Sequence, residues 1–350
     1  MTSDAPPRRH DVSVPADEIG VAARAVARLT PQGVPVLRSA VRRTLARMFG
    51  PPPFDPQGDP GDPGLTGPGS ASWQVIGEPA AIAGGIRGLL LQVAHPLAMA
   101  GVHDHSAFRD DPLGRLQRTS AYVTTTTFGS TREALRVSRL VRRVHPRVVG
   151  TAPDGRPYRA EDPHLLAWVS IALTSSFLAA DRRWSPLPVR DERADAFVAE
   201  QSRIAALLDP RVDLEVFERD TDARAALRAG EVDLPMLSDG TLPSDVAGLD
   251  AVLSGFAPEL GVNEQGREAL SFLRRPPIPA VARGGYQALF GGAIASLHPH
   301  EQAALEFDLS HATAAALATR ASAFLTTMRI VTGTSPSRRL AEERAAREHS

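Results

Sequence analysis

GGIRGLLLQVAHPLAMAGVHDHSAFRDDPLGRLQRTSAYVTTTTFG, residues Gly84 to Gly129, decides the fold class. Its first part continues an apolar, helix-like pattern that begins at Ala80 and runs to Ala94. That pattern breaks at His95-Pro96, because the residue before a proline avoids the α region. A second helical pattern runs from Pro112 to Phe128, and Ser130 with Glu133 forms a capping box for a third, running to Val144. Pro146 and Gly150 end it. Farther out, Pro163 sits where it can open an apolar helix ending near Asp181. Arg190 to Leu208 is amphipathic through Ala194, Phe197, Ile204 and Leu208. Residues 209 to 260 read as short helices between turns, followed by helices over Arg267–Arg274, Val281–Leu297 and Leu309–Val331. The turn PDGRPY, Pro153 to Tyr158, is the tip of a small hairpin at most. No run of period-two alternation and no internal repeat interrupts this series, so the fold class expected is all-α.

The pairs Gly284-Gly285 and Gly291-Gly292 follow no strand, so they are not a phosphate-binding turn; they suit close helix packing or a helix break. The chain divides into five parts. Residues 1–18 read as disordered and 19–49 as a helical arm, with Arg38, Arg42, Arg43 and Arg47 on one side. Residues 50–70 are so rich in proline and glycine that neither helix nor strand persists, which leaves a linker or surface strap. Residues 71–335 form the helical body, and 336–350 a charged helix or tail.

Composition narrows the function. The formal net charge of -1 provides no basic field for nucleic acid. The hydrophobic fraction of 43% is that of a globular protein. The chain has no cysteine, which excludes disulfides, iron–sulfur clusters and thiolate ligands. It also has no lysine, so every fixed cation is a guanidinium, which stays charged and is neither base nor nucleophile. Arg8-Arg9 is followed by no apolar run, so it is not a twin-arginine signal. The longest apolar stretch, Leu165 to Ala180, is short of the roughly 20 residues of a membrane span and suits a buried helix. The expected location is the cytoplasm, with no integral membrane segment.

Polar chemistry concentrates between His95 and His145. His145 lies on the last turn before Pro146, where a neutral imidazole could ligate a metal through one ring nitrogen. Arg142, one turn earlier, shares its side of the helix and could meet a carboxylate. The plain alternative is a histidine capping a helix C-terminus. Arg115, Arg118 and Thr119 fall at i, i+3 and i+4 and share one face, which suits an anion or a polarised oxygen; a solvated face paired with Asp110 or Asp111 is the alternative. His103, Asp104 and His105, with His95, carry the donors of a two-histidine, one-carboxylate iron site, although neighbouring residues point in different directions and the same groups can cap helices. No nucleophile elbow of the serine hydrolases is present.

The stretch Gly84–Gly129, followed by VRRVHPRVVG at Val141–Gly150, YRAEDPHLLAWV at Tyr158–Val169 and the late helices, resembles the oxygenase MpaB-like family, which includes the latex clearing proteins. The resemblance covers about Trp73 to Val331. It implies an all-helical, bundle-like domain with a heme pocket between helices. It also implies heme b, with His145 as the axial iron ligand in an R-x-x-H motif begun by Arg142. Arg115, Arg118 and Thr119 match the family's distal R-x-x-[basic]-T pattern, and Arg115 with Arg142 would also contact the cofactor. The studied latex-cleaving members use O2 to cut carbon–carbon double bonds. Two departures stand out: Arg118 occupies the position of their lysine, and Ser170 follows Trp168-Val169 where relatives often have histidine.

The function expected is therefore a heme b oxidoreductase using O2 or peroxide on a hydrophobic small molecule. The rivals are a non-catalytic heme or lipid-like ligand binder, and a non-heme iron enzyme built on His95, His103, Asp104 and His105.

Overall fold

The computed structural model describes residues 50–106 and 109–347. The disordered segment and helical arm expected over residues 1–49 lie outside the described residues. Sixteen α-helices and one two-stranded sheet account for the regular structure among the described residues, and the fold is all-α.

Helix α1 spans Ala71–Ile76, α2 Ala80–Ala94, α3 Pro96–His105, α4 Pro112–Phe128 and α5 Thr131–Val144. Strands β1 (Val149–Thr151) and β2 (Pro157–Arg159) pair antiparallel with Gly150 opposite Tyr158, forming the hairpin whose tip is the PDGRPY turn. Helix α6 spans Pro163–Trp184 and α7 Asp191–Ala206. Short helices α8 (Leu214–Arg219), α9 (Thr221–Ala229), α10 (Pro235–Ser238) and α11 (Val246–Phe256) follow. Then come α12 (Glu264–Arg274), α13 (Ala280–Ala295), α14 (Pro299–Ala304), α15 (His311–Thr332) and α16 (Pro336–Ala345).

Helices α2 and α6 form the axis of the body. The small residues of GGIRG explain their closeness: a Cβ on Gly84 would lie 2.9 Å from the Phe177 ring, and one on Gly88 would lie 2.8 Å from Leu173. Helix α6 has the length and composition of a membrane span, but 67% of its apolar window is buried against neighbouring helices, as a core helix requires. The core surrounds Trp73, Phe128, Leu90, Leu91, Trp168 and Phe197, all essentially without solvent contact. One buried ion pair crosses it: Arg87 of α2 reaches Glu301 of α14 at 2.6 Å and donates to Ser176 of α6 at 3.0 Å.

His95-Pro96 does what the sequence requires. His95 is extended, its ring accepts from the Ala98 amide, and α3 departs from α2 at 99°. The capping box on α5 is formed by Ser130 and Glu133. The strap over 50–70 supplies further acceptors there: Asp62 takes the Thr131 amide at 2.9 Å and Asp59 the Ser130 hydroxyl at 2.7 Å, placing acidic groups at a helix N-terminus. Gly64 holds φ +80° where a Cβ would lie 2.5 Å from the Gly129 carbonyl, so both its conformation and its space call for glycine. The C-terminal segment is the helix α16, and its Arg344 is buried over the Phe54 ring of the strap.

Candidate functional site

Helix α4 begins at Asp111, whose carboxylate accepts the Gly114 amide at 2.8 Å. From that start the two arginines of RLQRT part. Arg118 points outward, 62% exposed, with Asp111 at 3.4 Å. Arg115 turns inward to the wall of an apolar pocket between α2, α3, α4, α12 and α13. Among the described residues Arg115 has no acidic partner; burial first, then the charge of Arg118, pushes its guanidinium down to about 10. Thr119 spends its hydroxyl on the Arg115 carbonyl of its own helix, 3.2 Å away.

The pocket is a cleft open to solvent with about 110 Å³ of enclosed free space. Ile86, Val93, Met99, Leu116, Phe272 and Tyr286 make it greasy. Its polar groups are few. Gln92 presents an amide nitrogen that is buried without a partner. The Tyr286 hydroxyl is committed to the Leu273 carbonyl at 2.5 Å.

His145 is the C-cap of α5 and the first residue of a 3₁₀ turn through Arg147. Burial lowers its pKa, opposed by the nearby Glu161 carboxylate, so the ring is held neutral. Its Nδ1 is buried and has no hydrogen-bond partner. The helix that carries it buries Ala134, Leu135 and Ser138 in its first half but leaves Leu140 and Val144 exposed at 58% and 48% in its second. A ring nitrogen buried without a partner is a donor that a metal centre would complete, and in that respect His145 suits a heme iron. Arg142 does not reach toward such a group. Its guanidinium binds the carbonyls of Val212 at 2.7 Å and Pro210 at 3.0 Å, bracing the turn before α8.

The structure does not gather all the expected residues into one cavity. Arg115 lines the pocket; His145, Arg118, Thr119 and Arg142 do not. Nor do His95, His103, Asp104 and His105 converge. Asp104 bonds His103 at 2.9 Å and the Tyr158 hydroxyl at 2.6 Å, while His105 contacts the Val149 carbonyl at 3.0 Å. His103 also meets Arg109 and Gln265. His95 is on its own side of the α2–α3 corner, with His164 and Glu259 instead. Sequence reading passed over His164 although it directly follows the Asp162-Pro163 helix start; Glu259, far along the chain, had no sequence signal.

The described residues thus form an all-helical body with an apolar pocket that has the half-buried Arg115 in its wall, and with His145 at the end of α5. The chain belongs to the family described as ER-bound oxygenase mpaB/B'/rubber oxygenase, catalytic domain, whose model matches residues 73–331. No curated protein and no solved structure matches the chain.

Proposed function

We propose that the protein is a heme-dependent oxygenase acting on a hydrophobic small molecule, with His145 as the iron ligand. The observation that carries this reading is the His145 site: an imidazole kept neutral by burial, with a buried nitrogen that has no partner. Membership of an oxygenase family supports the reaction class. Heme b, when bound, supplies the iron at which O2 reacts. The protein's part would be to keep His145 neutral, so that a ring nitrogen is free to hold the iron, and to orient substrate. The apolar pocket, which His145 does not line, would take the hydrophobic body of a ligand, and Arg115 would meet its polar end.

An absorption spectrum of protein produced with a heme supply tests the proposal. The expected result is a Soret band that His145→Ala abolishes or shifts. Absence of the band, or an identical band in His145→Ala, refutes it. Oxygen uptake with apolar substrates then separates an oxygenase from a carrier that uses the same pocket without turnover.

A further inference from the structure

A second polar cluster lies away from His145. His95 comes from the corner between α2 and α3, His164 from the first turn of α6, and Glu259 from the 3₁₀ turn Ala257–Glu259 after α11. One ligand atom from each lies within 4.8 Å of the others. The His164 Nε2 is 2.8 Å from one Glu259 oxygen, and the His95 Nε2 is 3.4 Å from the other. In a tetrahedral site with bonds of about 2.0–2.1 Å, donor atoms stand about 3.3 Å apart, so this spacing needs little rearrangement to close on an ion.

The aromatic setting holds the imidazoles in place. His164 stacks on Phe256 with centroids 4.3 Å apart, His95 lies 5.3 Å from Trp168, and Trp168 and Phe256 are 5.1 Å apart. His95 is wholly buried, and its Nε2 faces the other two groups with only the Glu259 carboxylate near it, at the long distance of 3.4 Å and without good hydrogen-bond geometry. A buried polar atom without a partner is costly unless something completes it. His164 and Glu259 keep 51% and 29% exposure, which leaves a route in from solvent.

We propose that His95, His164 and Glu259 bind a first-row divalent transition-metal ion, zinc or ferrous iron, through two imidazole nitrogens and one carboxylate. Two nitrogens and one oxygen are the donor set of hydrolytic zinc sites and of non-heme iron sites, and three protein ligands leave positions open for water or substrate. The ion would clamp three segments distant in sequence: the start of α3, the start of α6 and the end of α11. Loading at Nε2 places the ring proton of His95 on Nδ1, which gives up the contact from the Ala98 amide; at 3.4 Å that contact is at the long end of the hydrogen-bond range and is weak. The inference does not depend on the heme reading, because none of the three residues lies on the His145 turn.

The test is titration of the full, metal-stripped chain with Zn²⁺ and with Co²⁺ as an optical probe, together with metal analysis of protein grown with added iron or zinc. One equivalent should bind and raise the thermal midpoint. His164→Ala and Glu259→Gln, both at partly exposed positions, should keep the helical circular dichroism while weakening binding at least about tenfold. His145→Ala should bind Co²⁺ like the parent, and a protein without a Soret band should still bind it. Absence of stoichiometric binding, or binding unchanged by His164→Ala and Glu259→Gln, would overturn the proposal and leave the trio as a hydrogen-bonded cluster.

Discussion

Arg115 and Arg118 stand one turn apart on α4 and meet opposite surroundings: Arg118 pairs with Asp111 in solvent, whereas Arg115 is largely desolvated against an apolar pocket with no acid beside it among the described residues. A half-buried cation without an acidic partner costs folding free energy, and a protein retains one where a ligand uses it. Arg115→Met keeps the length and removes the charge. It should raise the thermal stability by about 1–2 kcal/mol and weaken binding of apolar carboxylates at least tenfold, while Arg118→Met changes either by less than about 0.5 kcal/mol. Thermal melts with and without a medium-chain fatty acid distinguish these outcomes. A destabilised Arg115→Met would mean that the guanidinium is paired after all.

The helices were legible because their punctuation is local. Pro96, Pro112, Pro163 and the Ser130–Glu133 box mark boundaries that the structure reproduces. The site was legible only in part. His145 and Arg115 carry chemistry that their residue type announces, but whether they share a cavity depends on how α4 and α5 lie against α2, α12 and α13, which no spacing along the chain encodes. The same reason hides Glu259 from His95: 164 positions separate them, and only the packing of α11 against α6 brings them together. Arg142 misled for a different cause. The i, i+3 rule placed it on the side of His145, yet the carbonyls of Pro210 and Val212 claim its guanidinium first.

Asp181 provides a pH signature. Its side chain is 1% exposed and one oxygen has no partner, so burial pushes its pKa up to about 6, opposed by the Val189 amide at 2.8 Å. The folded state therefore holds this proton more tightly than the unfolded chain, whose carboxyl has an ordinary value near 3.9. Between those two values stability contributed by Asp181 falls as pH rises, and above about pH 6 the full cost of its charge is present. Asp181→Asn keeps an acceptor for Val189. It should stabilise the protein by about 2–3 kcal/mol at pH 7 and by almost nothing at pH 4. Denaturant melts of both proteins at the two pH values check the difference; equal gains at both would assign the effect to packing.

The Arg87–Glu301 pair makes the opposite prediction. Both side chains are nearly inaccessible, and Glu301 also accepts the His298 amide at 2.8 Å, so removing one member strands the other. Glu301→Gln should cost about 3–5 kcal/mol, whereas the double replacement Arg87→Met with Glu301→Leu should recover most of that. A single variant as stable as the parent would show that water reaches Arg87.

Of the two glycine pairs on α13, the close-packing reading holds for one member of the first and both of the second. A Cβ at Gly292 would stand 2.4 Å from the Ala321 Cβ of α15 and 3.2 Å from the Trp184 ring. Gly291 faces Leu317 and Gly285 faces Phe324, but Gly284 meets nothing within 4 Å. The same substitution on one helix should thus have opposite signs. Gly292→Ala must push α15 away or strain both backbones, at a cost of about 1–3 kcal/mol. Gly284→Ala gains helix propensity without a clash and should stabilise by up to about 1 kcal/mol. Because the residue change and the helix are identical, the difference between the two midpoints isolates the α13–α15 contact from any effect on the unfolded chain. Two variants that shift the midpoint alike would mean that α15 is free to move, and that the glycines at positions 285, 291 and 292 do not set its distance from α13.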